Sequence, residues 1–233
     1  KGFLMYQYHS KPLFSEADLA ASLHANTGRI RELVDAIPRE EFLSTSFDTL
    51  CEYIMDQLKV EPIVLNEAEI KMEHKEKKID VTNRLGYGSH ARGGSAMADG
   101  VLLTFYIPYS GDSELWRAQP NTYSSNPPRG EIDASRRILT LSFENTAQTE
   151  ETWFKQQLDN TLTSIRQSIS SQSIQIQQYQ ATLPKMVQET VTNRQNNLAK
   201  FHNLASSFTI PIVEKPGMHE YKLIDISPRK PIQ

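Results

Sequence analysis

The longest regular pattern of apolar residues in this chain lies between residues 147 and 206. Apolar side chains recur there at alternating intervals of four and three residues, and Gln172 takes one of the apolar places. That period is typical of one buried face of an α-helix. Pro184 does not fit inside a helix but suits the first turn of a new one. The pattern therefore predicts two long helices that break near residues 177–184 and fold back as an antiparallel hairpin, with a single kinked helix as the alternative.

This apolar seam has two alternative roles. It packs on a sheet of the same chain, or it joins two copies of the chain as a coiled-coil arm. The other helix faces are rich in Gln, Ser, Thr and Asn, which form helices weakly, so packing of the seam must hold the helices in place. The candidate residues for oligomerisation are Leu158, Leu162, Ile165, Ile169 and Ile176.

The N-terminal part of the chain divides into a helical region and a strand-rich region. Residues 15–60 carry a loose helical stripe, with Ser15 and Ser46 as suitable N-caps and an interruption at Asn26-Thr27-Gly28. Residues 61–143 instead contain short alternating or β-branched runs joined by short turns, which favours antiparallel hairpins. The predicted strands are residues 62–65, 77–81, 101–109, 114–117 and 136–143.

These patterns predict an α+β fold. We expect N-terminal helices, a central antiparallel sheet, and a long C-terminal antiparallel helical hairpin that packs on the sheet or projects from it. The 233 residues divide into three predicted segments. They are an α+β domain over residues 1–146, the helical hairpin over residues 147–206, and a β-like tail with an exit linker over residues 207–233.

Composition and charge narrow the class of protein. Hydrophobic residues make up 38% of the chain and charged residues 23%, which is ordinary for a folded domain. The net charge of −3 provides no global basic field for nucleic acid. Cys51 is the single cysteine, so an internal disulfide is excluded and we expect a cytoplasmic protein. No apolar run reaches the roughly 20 residues of a membrane span, and we expect no membrane partner.

Three candidate chemistries are weak in this sequence. The glycine-rich segment 86–95 has no strong helix after it, as a phosphate cradle requires, and is interpreted as a surface loop. The six histidines show no metal-ligand spacing. Glu69-Ile70-Lys71 has the spacing of half a nuclease metal site, but the flanking charges are typical of a solvated hairpin. We therefore predict no catalytic residues, no metal site and no cofactor in this chain.

A nucleic-acid surface is a separate hypothesis. On one sheet, aromatic residues can stack on bases and arginines can neutralise phosphates. The same residues also suit packing within the sheet or contact with a protein partner. The candidate residues are Arg117, Arg129, Arg136, Arg137, Trp116 and Tyr123.

Four segments of the chain together resemble one group of proteins. They are MYQYHSKPL at residues 5–13, STSFD with LCEY at 44–53, VLLTFYIPYSGDSELW at 101–116 and NPPRGEI at 126–132. In this order they resemble the N-terminal region of bacterial proteins that carry a C-terminal restriction-endonuclease-like domain of the PD-(D/E)XK type. The resemblance covers residues 5 to about 213.

The resemblance implies a function that the chain performs without catalytic residues of its own. The catalytic Asp and Glu-x-Lys would lie beyond Gln233, and the proline-rich basic end at 227–233 is typical of a linker to a further domain. We expect an accessory module for regulation, assembly or targeting of a nuclease in defence against foreign DNA. Its expected partners are that nuclease domain in cis, a second copy of the chain, and DNA through the attached domain. A nucleic-acid-binding module and a stand-alone scaffold are the alternatives.

Overall fold

The structure is a computed structural model, and it describes residues 10–82, 96–122 and 125–207. Three sequence predictions lie outside these ranges: the surface loop at 86–95, the role of Tyr123, and the tail beyond residue 207. Over the described residues the fold is α+β, as predicted, with N-terminal helices, a curled antiparallel sheet and a long C-terminal helix.

The described part of the chain contains four helices, eight strands and two short 3-10 helices. The helices are α1 (Leu19–Ala36), α2 (Arg39–Ser44), α3 (Phe47–Leu58) and α4 (Glu151–Ser207). The strands are β1 (Lys11–Pro12), β2 (Ala17–Asp18), β3 (Val64–Leu65), β4 (Lys71–Asp80), β5 (Met97–Ser110), β6 (Ala118–Gln119), β7 (Arg129–Asp133) and β8 (Ile138–Thr146). The 3-10 helices are Glu67–Glu69 and Ser113–Trp116.

Six of the described strands form one sheet. Its order is β1-β7-β8-β5-β3, and β4 also pairs with β5. Every pair in this sheet is antiparallel, as the short turns predicted. β2 and β6 form a separate parallel pair. The predicted strand at 114–117 is wrong, because this segment folds as the 3-10 helix Ser113–Trp116.

The N-terminal helices differ in detail from the prediction. Ser46 caps α3 as expected, since its hydroxyl accepts the N–H of Thr49 at 3.2 Å. Ser15 lies outside α1, and its hydroxyl donates to the carbonyl oxygen of Pro12 instead. α1 also continues through Gly28 without interruption. A glycine inside a helix costs only about 1 kcal/mol, which the buried residues on both sides of it outweigh.

The described residues divide into two compact units. The first contains residues 10–20 and the described part of 61–175, and the second contains residues 21–60 and 176–207. This division differs from the three predicted segments. The N-terminal helices form a unit with the second half of α4, whereas the sheet forms a unit with the first half.

The core of the first unit is built on alternate residues of two neighbouring strands. Phe105 of β5 lies opposite Leu141 of β8, and Ile107 lies opposite Leu139; all four are buried. Alternate residues share one side of a sheet, so these side chains form a single apolar face. The first half of α4 adds the buried residues Phe154, Leu162 and Ile165 to this unit.

Gln172 is the polar residue in the apolar seam, and it is almost fully buried. Its side-chain Nε2 donates to the carbonyl oxygen of Leu115 at 2.8 Å and to that of Ala118 at 2.6 Å. Both carbonyls belong to the segment in which the 3-10 helix Ser113–Trp116 gives way to β6. A buried carbonyl without a donor is costly, so Gln172 stabilises this junction.

In the second unit, α4 supplies donors to the ends of two other helices. The guanidinium of Arg194 donates to the carbonyl oxygens of Val34 and Ile37, at the end of α1, and lies 4.3 Å from the ring centroid of Phe42. Burial lowers the pKa of Arg194. The hydroxyl of Tyr179 donates to the carbonyl oxygen of Leu58, the last residue of α3, at 2.9 Å. Carbonyls at helix ends lack partners within their own helix, and these side chains provide them.

The predicted hairpin near residues 177–184 is wrong. α4 is one helix of 57 residues with Pro184 inside it, which corresponds to the single-helix alternative. A proline in a helix interior costs about 3 kcal/mol. Burying one large apolar side chain contributes roughly 1.5–3 kcal/mol, and several such residues lie on both sides of the proline. They are Ile176, Tyr179, Leu183, Val187 and Val191.

We expect the substitution Pro184→Ala to stabilise the protein. It restores the backbone N–H inside α4 and removes the clash with the preceding turn, so the free energy of unfolding should rise by about 2 kcal/mol. Urea denaturation followed by circular dichroism measures this change. Pro38→Ala is the control, because Pro38 stands at the N-cap of α2 and not inside a helix. If the helix were instead interrupted at Pro184, the alanine variant would be no more stable than the original protein, or less stable.

We expect Gln172→Leu to lower the free energy of unfolding by about 2 kcal/mol, although leucine matches the apolar seam. The change removes the donor of two buried carbonyl oxygens, which then have no replacement. Gln167→Leu, at an exposed position of the same helix, is the control and should change stability by less than about 0.5 kcal/mol. Equal effects of the two substitutions would contradict the role of Gln172.

Candidate binding edge of the sheet

β4 is an exposed edge strand. Its residues 71–78 are all exposed, and only Ile79 is buried. Among the described residues, β4 pairs with β5 alone. Its second edge therefore presents backbone N–H and C=O groups that no described strand pairs, and such an edge can accept another strand.

Two backbone hydrogen bonds establish which amides of β4 face outward. The N–H of Val81 donates to the carbonyl oxygen of Ala96 at 2.8 Å, in continuation of the β4–β5 register. The N–H of Tyr109 donates to the carbonyl oxygen of Arg137 at 2.9 Å, in continuation of the β5–β8 register. Hydrogen-bonded pairs alternate along an antiparallel ladder, so odd-numbered residues of β4 bond to β5. The outward amides are those of Met72, His74, Glu76 and Lys78.

Side-chain interactions hold β4 against its neighbours. The hydroxyl of Tyr106 donates to Glu73 Oε2 at 2.8 Å, and the Glu73 carboxylate raises the pKa of Tyr106. Lys77 Nζ donates to Glu144 Oε2 of β8 at 2.6 Å. The ladder with β5 orders the strand before any partner arrives, and these contacts add to it, so binding at its edge needs little ordering of the chain.

Gly100 of β5 is required near the end of the β4–β5 ladder, where it lies opposite Lys77. A Cβ atom at this position would lie 2.3 Å from Ile79 Cγ1 and 2.6 Å from the carbonyl oxygen of Asn145. Any side chain would therefore displace Ile79, the one buried residue of β4. The absence of a side chain at Gly100 lets β4 stay close to the sheet at this end.

One face of β4 carries the alternating residues Lys71, Glu73, Lys75 and Lys77. Tyr106 binds Glu73, and Glu144 binds Lys77. Lys71 and Lys75 have no ion-pair partner in the part of the chain that the structure describes. Their ammonium groups are exposed beside the free edge and are able to meet an added strand.

Among the described residues of the predicted nucleic-acid surface, Trp116 is buried in the core. Trp116 is only 1% exposed, and its ring centroid lies 5.3 Å from that of Phe14 and 5.2 Å from that of Tyr109. Its ring belongs to the core and is not accessible to a base. The adjacent Arg117 is exposed, but its Nε donates to Glu16 Oε2 at 2.6 Å.

The other predicted arginines have separate local roles. Arg129 begins β7, and its Nε donates to the carbonyl oxygen of Ser10 at 3.1 Å. The Nε of Arg136 lies 3.7 Å from Asp133 Oδ2 in the turn between β7 and β8. Arg137 of the same turn is exposed and has a φ of 55°. Arg129 and Arg136 thus have local partners, and the aromatic candidate Tyr123 lies outside the described residues.

The predicted oligomerisation seam is largely occupied within one chain. Leu162 and Ile165 are buried residues of the first unit, and Ile176 is a buried residue of the second. Leu158 and Ile169 are half-buried. This placement favours the internal role of the seam over a coiled-coil arm, while a homodimer formed by another surface stays a prediction.

The candidate half-site of a nuclease does not form. Glu69 ends the 3-10 helix Glu67–Glu69, and Lys71 begins β4, so the two residues do not share one face of a strand. In residues 10–82, 96–122 and 125–207, no three His, Cys, Asp or Glu side chains are grouped as metal ligands. The helices of those ranges include none with the length and apolar character of a membrane span.

Comparisons with protein-family models, with curated proteins and with solved structures found no match. The resemblance to nuclease-associated proteins accordingly stays a prediction. The site is therefore interpreted from its own geometry.

The free edge of β4 was not among the sites predicted from sequence. The charged stretch from Glu67 to Lys78 predicts a solvated hairpin, whereas in the structure this stretch contains the 3-10 helix Glu67–Glu69 and most of the single strand β4. The available signal was the run of alternating charges, which is typical of a protected edge strand. Which side of the strand stays unpaired depends on the order of the sheet, and no local pattern specifies that order.

We expect proline to be tolerated at His74 and not at Lys75. The N–H of His74 points outward, so His74→Pro should change the free energy of unfolding by less than about 1 kcal/mol. The N–H of Lys75 belongs to the ladder with β5, and Lys75→Pro should lower that free energy by about 2 kcal/mol or more. Urea denaturation compares the two variants. The reverse order of stability would show that the outward amides have been assigned to the wrong residues.

Proposed function

We propose that this chain is an accessory module that assembles with a partner by accepting an extended segment of that partner at the free edge of β4. One observation carries the proposal: the outward amides of Met72, His74, Glu76 and Lys78 lie on a strand that is already ordered. In strand addition, the backbone hydrogen bonds supply affinity and the alternating side chains supply specificity.

The edge combines accessibility with protection against unrelated strands. A long exposed edge is an aggregation hazard, and charged side chains, lysine above all, reduce that hazard. β4 carries Lys71, Lys75, Lys77 and Lys78. An edge of this kind rejects most apolar strands and accepts one whose charges match it, which is the behaviour required of an assembly site.

The resemblance supplies the biological setting of the proposal. In that setting the module regulates, assembles or targets a nuclease-type bacterial protein in the cytoplasm, in defence against foreign DNA. The partner segment belongs to a restriction-endonuclease-like domain in the same protein or to a component that directs this domain. The chain itself serves for binding, and the attached domain performs the cleavage.

A peptide selection tests this function. A displayed library of random ten-residue peptides is selected on the full chain, and individual binders are then measured against His74→Pro and His74→Val. Valine keeps the backbone N–H and the strand preference, so it is the matched control. We expect binders whose affinity for His74→Val equals that for the original chain and falls at least tenfold for His74→Pro.

Other outcomes of the selection decide against the proposal. Binders that do not distinguish the proline from the valine variant contact another surface. A selection without binders would likewise remove strand addition as the function of this edge. Circular dichroism of both variants establishes that they remain folded before their affinities are compared.

A further inference from the structure

We infer that the segment accepted by β4 is acidic and places two carboxylate side chains four residues apart in an extended strand. The inference rests on the proposed function, because it names the class of partner for the same edge. It follows from the position of Lys71 and Lys75, which share one face of β4 beside the outward amides that no described strand pairs.

The backbone places these two lysines where an opposing side chain comes closest. An added antiparallel strand bonds to the outward amides at even-numbered positions, so odd-numbered residues occupy its non-hydrogen-bonded pairs. Opposite Cα atoms in such pairs are about 4.5 Å apart, against about 5.5 Å in hydrogen-bonded pairs. A Glu or Asp opposite Lys71 or Lys75 therefore meets the ammonium group directly.

The neighbours of the two lysines define the remaining positions of the partner. Glu73 lies between them and is bound by the hydroxyl of Tyr106, so a neutral polar residue suits the position opposite it. On the other face of β4, Met72 is 57% exposed and is followed by His74. Apolar residues suit those positions. The matching pattern is acidic, apolar, neutral polar, apolar, acidic, and it is the same in both chain directions.

The charges of β4 disfavour a second copy of the chain at this edge. In antiparallel pairing about a two-fold axis, the central residue lies opposite its own copy. If the axis passes through any residue from 73 to 78 except His74, that residue and its copy place two identical charges opposite each other. A centre at His74 pairs Glu73 with Lys75 but also places Lys71 opposite Lys77 of the other copy. An acidic strand avoids these like-charge pairs.

Synthetic peptides test the inference on the full chain. The acidic peptide contains Glu-Val-Thr-Val-Glu between Thr-Val and Val-Thr ends, and its matched controls carry Gln or Lys in place of both Glu residues. Fluorescence anisotropy in low salt should show the acidic peptide binding roughly fivefold more tightly than the Gln peptide, since each exposed pair contributes a factor of about two to three. The difference should disappear in about 0.5 M salt.

Charge reversal supplies the decisive comparison. In the double variant Lys71→Glu with Lys75→Glu, the preference should invert, so that the Lys peptide binds more tightly than the Glu peptide. Lys200→Glu, at an exposed position outside the sheet, should leave the original preference unchanged. His74→Pro removes one outward amide and should weaken the binding of all three peptides equally.

The outcomes separate this inference from the proposed function. Equal binding of the three peptides, lost in His74→Pro, overturns the acidic partner and leaves strand addition intact. Binding of none of them overturns the acidic partner, and the random selection then decides the function of the edge. An oligothymidylate that displaces the acidic peptide from β4 at similar concentration would show that the lysines bind a nucleic acid. That result also overturns the inference.

Discussion

The backbone hydrogen bonding of β5 is the constraint on which the sheet depends. This strand of 14 residues bonds to β8 through its odd-numbered residues and to β3 and β4 through its even-numbered ones. A central strand must satisfy its amides on both sides, and β5 does so along most of its length. β4 and β3 share one side of β5. In the part of the chain that the structure describes, no strand pairs with the other edge of β4.

The long helix α4 contributes more than apolar surface. Gln172 donates to two buried carbonyls in the first unit, and Arg194 and Tyr179 donate to carbonyls at helix ends in the second. Several of its Ser and Thr hydroxyls bond to carbonyls one turn earlier, as Thr161 does with Gln157 at 2.8 Å. Such intrahelical bonds slightly weaken a helix, so α4 remains continuous because of the buried residues along it. Its polar residues satisfy backbone groups that the apolar seam alone would leave without partners.

At the candidate edge, backbone and side chains have different tasks. The outward amides offer the same hydrogen bonds to any extended segment, so they supply affinity without choosing a sequence. The exposed lysines contribute little energy each, because solvent screens their charges. In the proposed interaction they instead set the register and reject strands that place lysine or arginine opposite them. A module of this kind can bind one segment selectively with modest affinity, as a regulatory or assembly contact requires.

The sequence by itself determined the α+β class, the helical region before residue 60, and the places of β5, β8 and the long C-terminal helical segment. Alternation in β5 and β8, the Ser46 cap and the heptad-like seam each follow from local spacing, and each appears in the structure. The predictions from sequence were wrong where tertiary packing outweighed a local signal. Pro184 predicts a helix break, yet buried residues on both sides keep α4 continuous. Trp116 resembles a surface aromatic beside an arginine, yet it fills the core. The tertiary structure alone decided that β4 has one neighbour among the described strands, because strand order depends on contacts between residues far apart in the chain.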